Sequence, residues 1–252
     1  MDWVNKHLQI EPINTFIDPI FPVENAIITH AHADHAKPGH NNVLATKHTI
    51  EIMKIRYGEN CANNFQELSF NSPLNVNGVK VTFFPAGHIL GSAQVLLEYR
   101  KDKINFTGDF KITKDDTCEN FRPVTCDTLV TEATFGLPIF QHPDPEVEIN
   151  KLINSLKNFS NRPHLIGVYA LGKAQRLIKL LRNKGYDETI FIHGALEKIC
   201  NYVELAKKED GKILLGGNII KIPGRCQGGW FYEPTIIEGL DNNSRVNQEE
   251  IF

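Results

Sequence analysis

The sequence contains no apolar run approaching the ~20 residues that cross a bilayer. Its opening, Met1-Asp2-Trp3-Val4-Asn5-Lys6, lacks the charged-then-apolar order of a secretory start. The expectation is a cytoplasmic protein with no membrane partner. Cysteine is sparse and unpaired in pattern: Cys61, Cys118, Cys126, Cys200 and Cys226 are odd in number and form no Cys-x-x-Cys. Free thiols in a reducing compartment follow. An excess of one charge is also missing, with 27 Lys and Arg against 30 Asp and Glu, a formal net charge of −3. Bulk electrostatics therefore do not advertise a nucleic-acid binder. What remains is ordinary globular material, 252 residues, 41% hydrophobic and 23% charged, enough for one good core or two small ones.

Against that background one stretch stands out, Ala26-Ile27-Ile28-Thr29-His30-Ala31-His32-Ala33-Asp34-His35. It opens as a buried strand and closes on three imidazoles and a carboxylate. In extended chain, alternate side chains share a face, so His30, His32 and Asp34 are expected to lean to one side, with His35 turning off at the loop. Two imidazoles so spaced can hold one cation, and Asp34 and His35 can reach a second nearby. A chance surface cluster is the bland alternative.

Along the rest of the chain, residues 1 to 25 read as short edge strands broken by Pro12, Pro19 and Pro22. Thr46 to Tyr57 reads as a structural helix closed by Gly58, with His40 and His48 as surface residues. Val79 to Phe84 is β-rich and ends at Pro85-Ala86-Gly87-His88, where the glycine lets His88 turn into the same rim. Val95 to Tyr99 and Lys103 to Phe106 form a strand pair that delivers Thr107-Gly108-Asp109, and Asp127 to Glu132 is a further strand ending in acid.

From Asp144 the period changes. Asp144 as cap, Pro145 in the first turn and apolar residues at helical spacing describe an amphipathic helix. Leu165 to Tyr169 reads as a buried strand, Leu171 to Asn183 as a helix ending before Gly185, and Ile190 to Gly194 as the next strand. No acid occurs between Glu148 and Asp187, a span holding eight Lys and Arg. That run suits a solvated helix face or a track for a phosphate backbone. Lys173 and Arg176, opening a helix after Gly172, are the candidates for substrate phosphate, although many α/β units share the pattern without a ligand.

His-x-His-x-Asp-His after an apolar strand resembles the hallmark of the metallo-β-lactamase fold. Ile17-Asp18-Pro19 before it and Thr131-Glu132-Ala133-Thr134-Phe135-Gly136 after it resemble the nucleic-acid-processing branch known as β-CASP, in particular a bacterial exonuclease group associated with DNA ligase. The resemblance covers roughly residues 1 to 195. It implies His30, His32 and His88 on a first metal, and Asp34, His35 and a bridging Asp109 on a second. Asp34, Asp109 and Glu132 would be the catalytic acids. Asp18 is either a turn residue before Pro19 or, by resemblance, a support that orients a ligand imidazole. Imidazole-rich ligands favour Zn²⁺, with Mn²⁺ as the alternative. The implied partner is nucleic acid, DNA ahead of RNA, with a DNA ligase association.

Past about residue 195 that resemblance stops. The family would bring a further histidine for the second metal and another that assists catalysis, yet no histidine follows His193. Residues 197 to 252 instead resemble aldehyde dehydrogenases, through Gly229-Trp230-Phe231-Tyr232-Glu233-Pro234-Thr235 and Ser244-Arg245-Val246-Asn247-Gln248-Glu249-Glu250-Ile251-Phe252. There Glu250 and Phe252 would match dinucleotide contacts, left vestigial without that family's catalytic cysteine.

The expected fold is α/β: an incomplete metallo-β-lactamase αββα sandwich (1–140), the start of a β-CASP-type α/β insert (141–195), and an aldehyde dehydrogenase-like fragment (196–252). Three functions compete: a metal-dependent nuclease weakened by its incomplete second site, another hydrolase of the same fold, and an inactive chimeric metal binder.

Overall fold

The computed structural model describes residues 3–206 and, beyond them, the backbone of four short strands. The chain divides into two compact units, Met1–Pro143 and Asp144–Phe252.

The first unit is built from two five-stranded sheets. One holds β1 (Gln9–Ile10), β2 (Thr15–Ile17), β3 (Asn25–Ile27), β4 (His40–Ala45) and β5 (Ala62–Glu67) in that order. The other holds β6 (Pro73–Val76), β7 (Val79–Pro85), β8 (Ala93–Tyr99), β9 (Asp102–Phe106) and β10 (Thr128–Val130), in the order β10-β9-β8-β7-β6. Strands β2 to β5 run parallel, as do β9 and β10, whereas β6 to β9 are joined antiparallel.

Period-two alternation explains the layers. Ile17 and Ile27 from the first sheet and Val79, Val81, Phe83, Val95, Leu97, Ile104 and Phe106 from the second share one buried cluster. The opposite face of β3 and β4 sends Ala26, Val43 and Ala45 into a second cluster with Ile50 and Met53 of helix α1 (Lys47–Tyr57). A parallel strand covered on both faces reads as a continuous apolar run, the pattern seen at Ala26-Ile27-Ile28. The expected two-sheet fold with an outer helix is what forms.

Topology then places the chemistry. Strands β2, β3, β7, β9 and β10 all end in loops that carry a polar residue singled out above: Asp18, His30, His88, Asp109 and Glu132 respectively. Loops at strand ends are free to present side chains that a rigid sheet has aligned.

In the second unit, α2 (Pro145–Asn158) starts as expected, with the Asp144 carboxylate accepting from Glu146 N at 2.8 Å. Helices α3 (Lys173–Asn183) and α4 (Glu197–Ala206) follow. The strands expected at 165 to 169 and 190 to 194 do not form. Leu165 is fully exposed and Phe191 is 71% exposed. A strand needs a neighbour to satisfy its backbone, and the described ladders of this unit, β11 (Gly211–Leu215) with β14 (Ile236–Glu238) and β12 (Ile219–Ile220) with β13 (Phe231–Tyr232), lie elsewhere in the chain.

A candidate metal centre

The segment after β3 leaves extended geometry sooner than its alternating pattern suggests. The strand ends at Ile27, and the chain turns so that His35 N and Ala36 N both donate to the His32 carbonyl, at 3.1 and 2.8 Å. His30, His32 and Asp34 therefore do not share a strand face. The turn brings the two imidazoles together and leaves Asp34 at the rim, its side chain 78% exposed.

Two further strand ends complete the group. Gly87, at φ +73°, passes against the Lys111 carbonyl and delivers His88. β9 delivers Asp109. His30 Nε2 and His88 Nε2 each lie 3.1 Å from His32 Nδ1. Asp109 Oδ2 lies 3.7 Å from His30 Nε2 and 3.6 Å from His88 Nε2. These four donors sit within 4.8 Å of one another. A tetrahedral cation with bonds of about 2.0 to 2.1 Å separates its ligands by roughly 3.3 Å. Donor chemistry and spacing both fit a divalent ion.

Electrostatics point the same way. Burial, followed by the neighbouring imidazoles, holds His30 well below its ordinary range. Burial and His32 likewise lower His88 to about 4, against the opposing pull of Asp109. Both rings thus keep bare lone pairs at neutral pH. His35 goes the other way. Burial disfavours its charged form, but hydrogen bonds to Asp109 and Asp18 prevail and raise it to about 10. The same His35 bond holds the Asp109 carboxyl below its usual range.

Asp18 supplies the support. Its carboxylate accepts from Thr29 N at 2.7 Å, from the Thr29 hydroxyl at 2.5 Å and from His35 Nδ1 at 2.8 Å. His35 Nε2 then faces Asp109 Oδ1 at 3.4 Å and Asp34 Oδ2 at 3.7 Å. Asp109 thus turns one oxygen to His30 and His88 and the other to His35. Asp18, His30 and His35 form a second group able to hold a cation. Of the two readings of Asp18, the hydrogen bonds favour the one that orients an imidazole.

Glu132 accepts from Thr134 N at 2.8 Å and acts on His88 through space, favouring its charged form. Lys173 and Arg176 belong to the second unit, three positions apart at the start of α3, with Lys173 Nζ 5.2 Å above the Tyr169 ring. Glu250 and Phe252 lie outside the described residues, as does Cys226. Three contacts had no signal in the sequence: Thr29, which ties Asp18 to the His30 loop, and Thr46 and Arg56, which reach ligand loops from α1. Nothing about a lone threonine or arginine marks it as a loop anchor until the fold is closed.

Comparison with known proteins follows the same lines. A family model described as "Aldehyde dehydrogenase family" matches residues 189–252. Among curated relatives, a "Probable DNA ligase" of Opitutus terrae is 30% identical over 205 residues, covering 78% of this chain and 19% of the relative. "Endoribonuclease ysh1" of Aspergillus fumigatus is 36% identical over 143 residues, covering 54% and 16%. "Cleavage and polyadenylation specificity factor subunit 3" of Dictyostelium discoideum is 35% identical over 121 residues, covering 46% and 15%. The chain thus spans less than a fifth of the length of these relatives. A crystal structure of a protein of unknown function from Enterococcus faecalis V583 shares the fold, with a TM-score of 0.51 at 16% identity over 71% of this chain and 48% of that one. The model described as "Beta-lactamase superfamily domain" matches residues 2–147, more than half of the sequence and the whole of the histidine cluster, and the chain belongs to that family.

Proposed function

We propose that the chain is a metal-dependent phosphodiesterase acting on nucleic acid. The convergence of His30, His32, His88 and Asp109 carries this reading. Those four would hold one divalent cation, and Asp34, the second oxygen of Asp109 and His35, after release of its Nε2 proton, would offer ligands to another. Imidazole-rich donors favour Zn²⁺, with Mn²⁺ as the alternative. When bound, such a cation would polarise a phosphoryl oxygen and lower the pKa of water toward neutrality.

The chain's own residues set the stage for that chemistry. His30 and His88 stay unprotonated through burial, so they are available as ligands without first losing a proton. Asp18 fixes the His35 ring through Nδ1 and leaves Nε2 facing Asp109 and Asp34. Asp109 spans both groups. Glu132, close to His88, adds negative charge at the rim. Lys173 and Arg176 are proposed to contact phosphate.

The names of the relatives support a nucleic-acid substrate but not the preference for DNA drawn from the motifs, since they include an endoribonuclease as well as a ligase. Location in the cytoplasm and association with a DNA ligase remain part of the proposal. Among the described residues, no helix is long and apolar enough to cross a membrane.

The test is cleavage of labelled single-stranded DNA and RNA by the purified full-length chain reconstituted with Zn²⁺ or Mn²⁺. Cleavage of either polymer, lost in Asp109→Asn and in His88→Ala, is the expected result. Equal cleavage by those variants, or none by the parent while simple esters or lactams are hydrolysed, overturns it.

A further inference from the structure

Helix α1 touches both loops that carry the imidazoles, one with each end. At its start the Thr46 hydroxyl donates to the Gly91 carbonyl at 2.7 Å, and the Thr49 hydroxyl donates to the same oxygen at 3.1 Å. Gly91 lies in the turn just past His88, and its own N–H donates to Glu119 Oε2 at 3.1 Å. That turn is gripped from two sides. The approach is close enough to exclude a side chain: φ is +76°, and a Cβ on Gly91 would lie 2.7 Å from His48 Cβ and 2.8 Å from Thr46 Oγ1. At the far end, Arg56 Nη1 donates to the Ala31 carbonyl at 2.8 Å. Ala31 sits fully buried between His30 and His32, and among the described residues no backbone N–H donates to its oxygen.

The helix between these contacts is fixed by Ile50 and Met53 in the core beneath it. An eleven-residue helix is a rod about 16 Å long whose ends cannot move independently. The imidazoles need such a frame. In the tautomers that a cation requires, these nitrogens would turn bare lone pairs toward one another at 3.1 Å, so contacts outside the cluster help to hold the loops together.

We propose that α1 is a strut that sets the His88 turn against the His30–His32 loop, with Thr46, Thr49 and Arg56 as positioning residues for the metal ligands. The inference rests on the metal-centre reading above and adds to it residues that touch neither metal nor substrate.

The experiment is Co²⁺ titration of the full-length chain, followed by visible absorption, with thermal unfolding in excess chelator measured in parallel. Arg56→Ala and Thr49→Val are each expected to weaken Co²⁺ binding about tenfold to a hundredfold and to change the absorption band, while both still melt well above the assay temperature without metal. Arg56→Lys, which keeps a donor on a long stem, is expected to recover most of the affinity. Parent-like affinity and band shape in both loss variants overturn the strut. So does a loss confined to variants already unfolded at the assay temperature, because that is what a helix with only a structural role would produce. A parent chain that takes up no Co²⁺ removes the metal centre and the strut with it, whereas a parent that binds alongside variants that match it removes the strut alone.

Discussion

At the scale of single residues, Asp18 carries more than its place before a proline suggests. It holds a backbone N–H, a hydroxyl and a ring N–H at once, and it does so at φ +44°. Hydrogen bonds to a charged partner contribute about 1.5 to 3 kcal/mol each, and a stranded donor costs its desolvation besides. Asp18→Ala should therefore lower urea stability of the chelated protein by about 2 to 4 kcal/mol, with Asp18→Asn falling between it and the parent. A loss below about 0.5 kcal/mol, the range of ordinary surface changes, would show that the three bonds are not made in solution.

His40 was expected at the surface and is instead buried, with Nδ1 accepting from Val23 N at 3.2 Å and Nε2 without a partner among the described residues. Its position on a strand among polar neighbours hid this, because both faces of that strand are covered. Burial lowers its pKa. A ring that binds protons less well when folded leaves the unfolded chain with more protons below about pH 6.5, so stability falls as pH falls through that value. His30 and His88 share that sign. His35 has the opposite one: its contribution is complete below about pH 6.5 and fades as pH rises through about 10. In chelator, the parent should lose stability more steeply than His40→Asn between neutral pH and pH 5. Parallel profiles would mean that the ring is solvated.

At the scale of elements, β3 and β7 to β10 were legible because each has a neighbour that its pattern anticipates, whereas β4, β5 and β6, rich in asparagine and other polar residues, were not legible as strands. Alternation in Val79-Lys80-Val81-Thr82-Phe83 matches a strand with Val79, Val81 and Phe83 facing the other sheet. Phe83→Ala should cost about 3 to 5 kcal/mol, as deletion of a fully buried aromatic ring does. The runs at 165 to 169 and 190 to 194 are just as apolar, yet they stay irregular, since composition cannot supply a missing ladder.

The turn carrying His88 offers a sharper test. A Cβ on Gly87 would stand 2.3 Å from the Lys111 carbonyl and 2.9 Å from Phe121 N, both backbone atoms that cannot swing aside. Gly87→Ala combines left-handed strain with overpacking, each costing about 1 to 3 kcal/mol. The expected outcome is a lower urea midpoint together with weakened metal binding, because the same displacement moves His88. A lower midpoint with parent-like metal affinity would separate the turn from the site.

At the scale of the whole molecule, the candidate site was legible in kind and misjudged in detail. Density of imidazole marked the His30 loop, but the shared strand face drawn from its alternation gave way to a turn that gathers the rings and leaves Asp34 at the rim. His88 and Asp109 join the cluster because β7 and β9 end on the same side as β3, a fact of topology that no local spacing contains. Near the end of the first unit, Leu137 is 65% exposed and Ile139 is 80% exposed. Both follow the edge strand β10 in the chain, and exposed apolar residues favour association with other chains. Ile139→Lys is expected to raise the concentration at which the chain stays monomeric in light scattering, with no change in urea midpoint.

The most direct measurement is the metal content of the full-length chain after reconstitution and exhaustive dialysis, beside His30→Ala and His88→Ala prepared in the same way. The expected result is at least one tightly held divalent ion per parent chain and a near-complete loss in both variants. Substoichiometric metal in all three, or equal retention by the variants, would contradict a cation held between the strand ends.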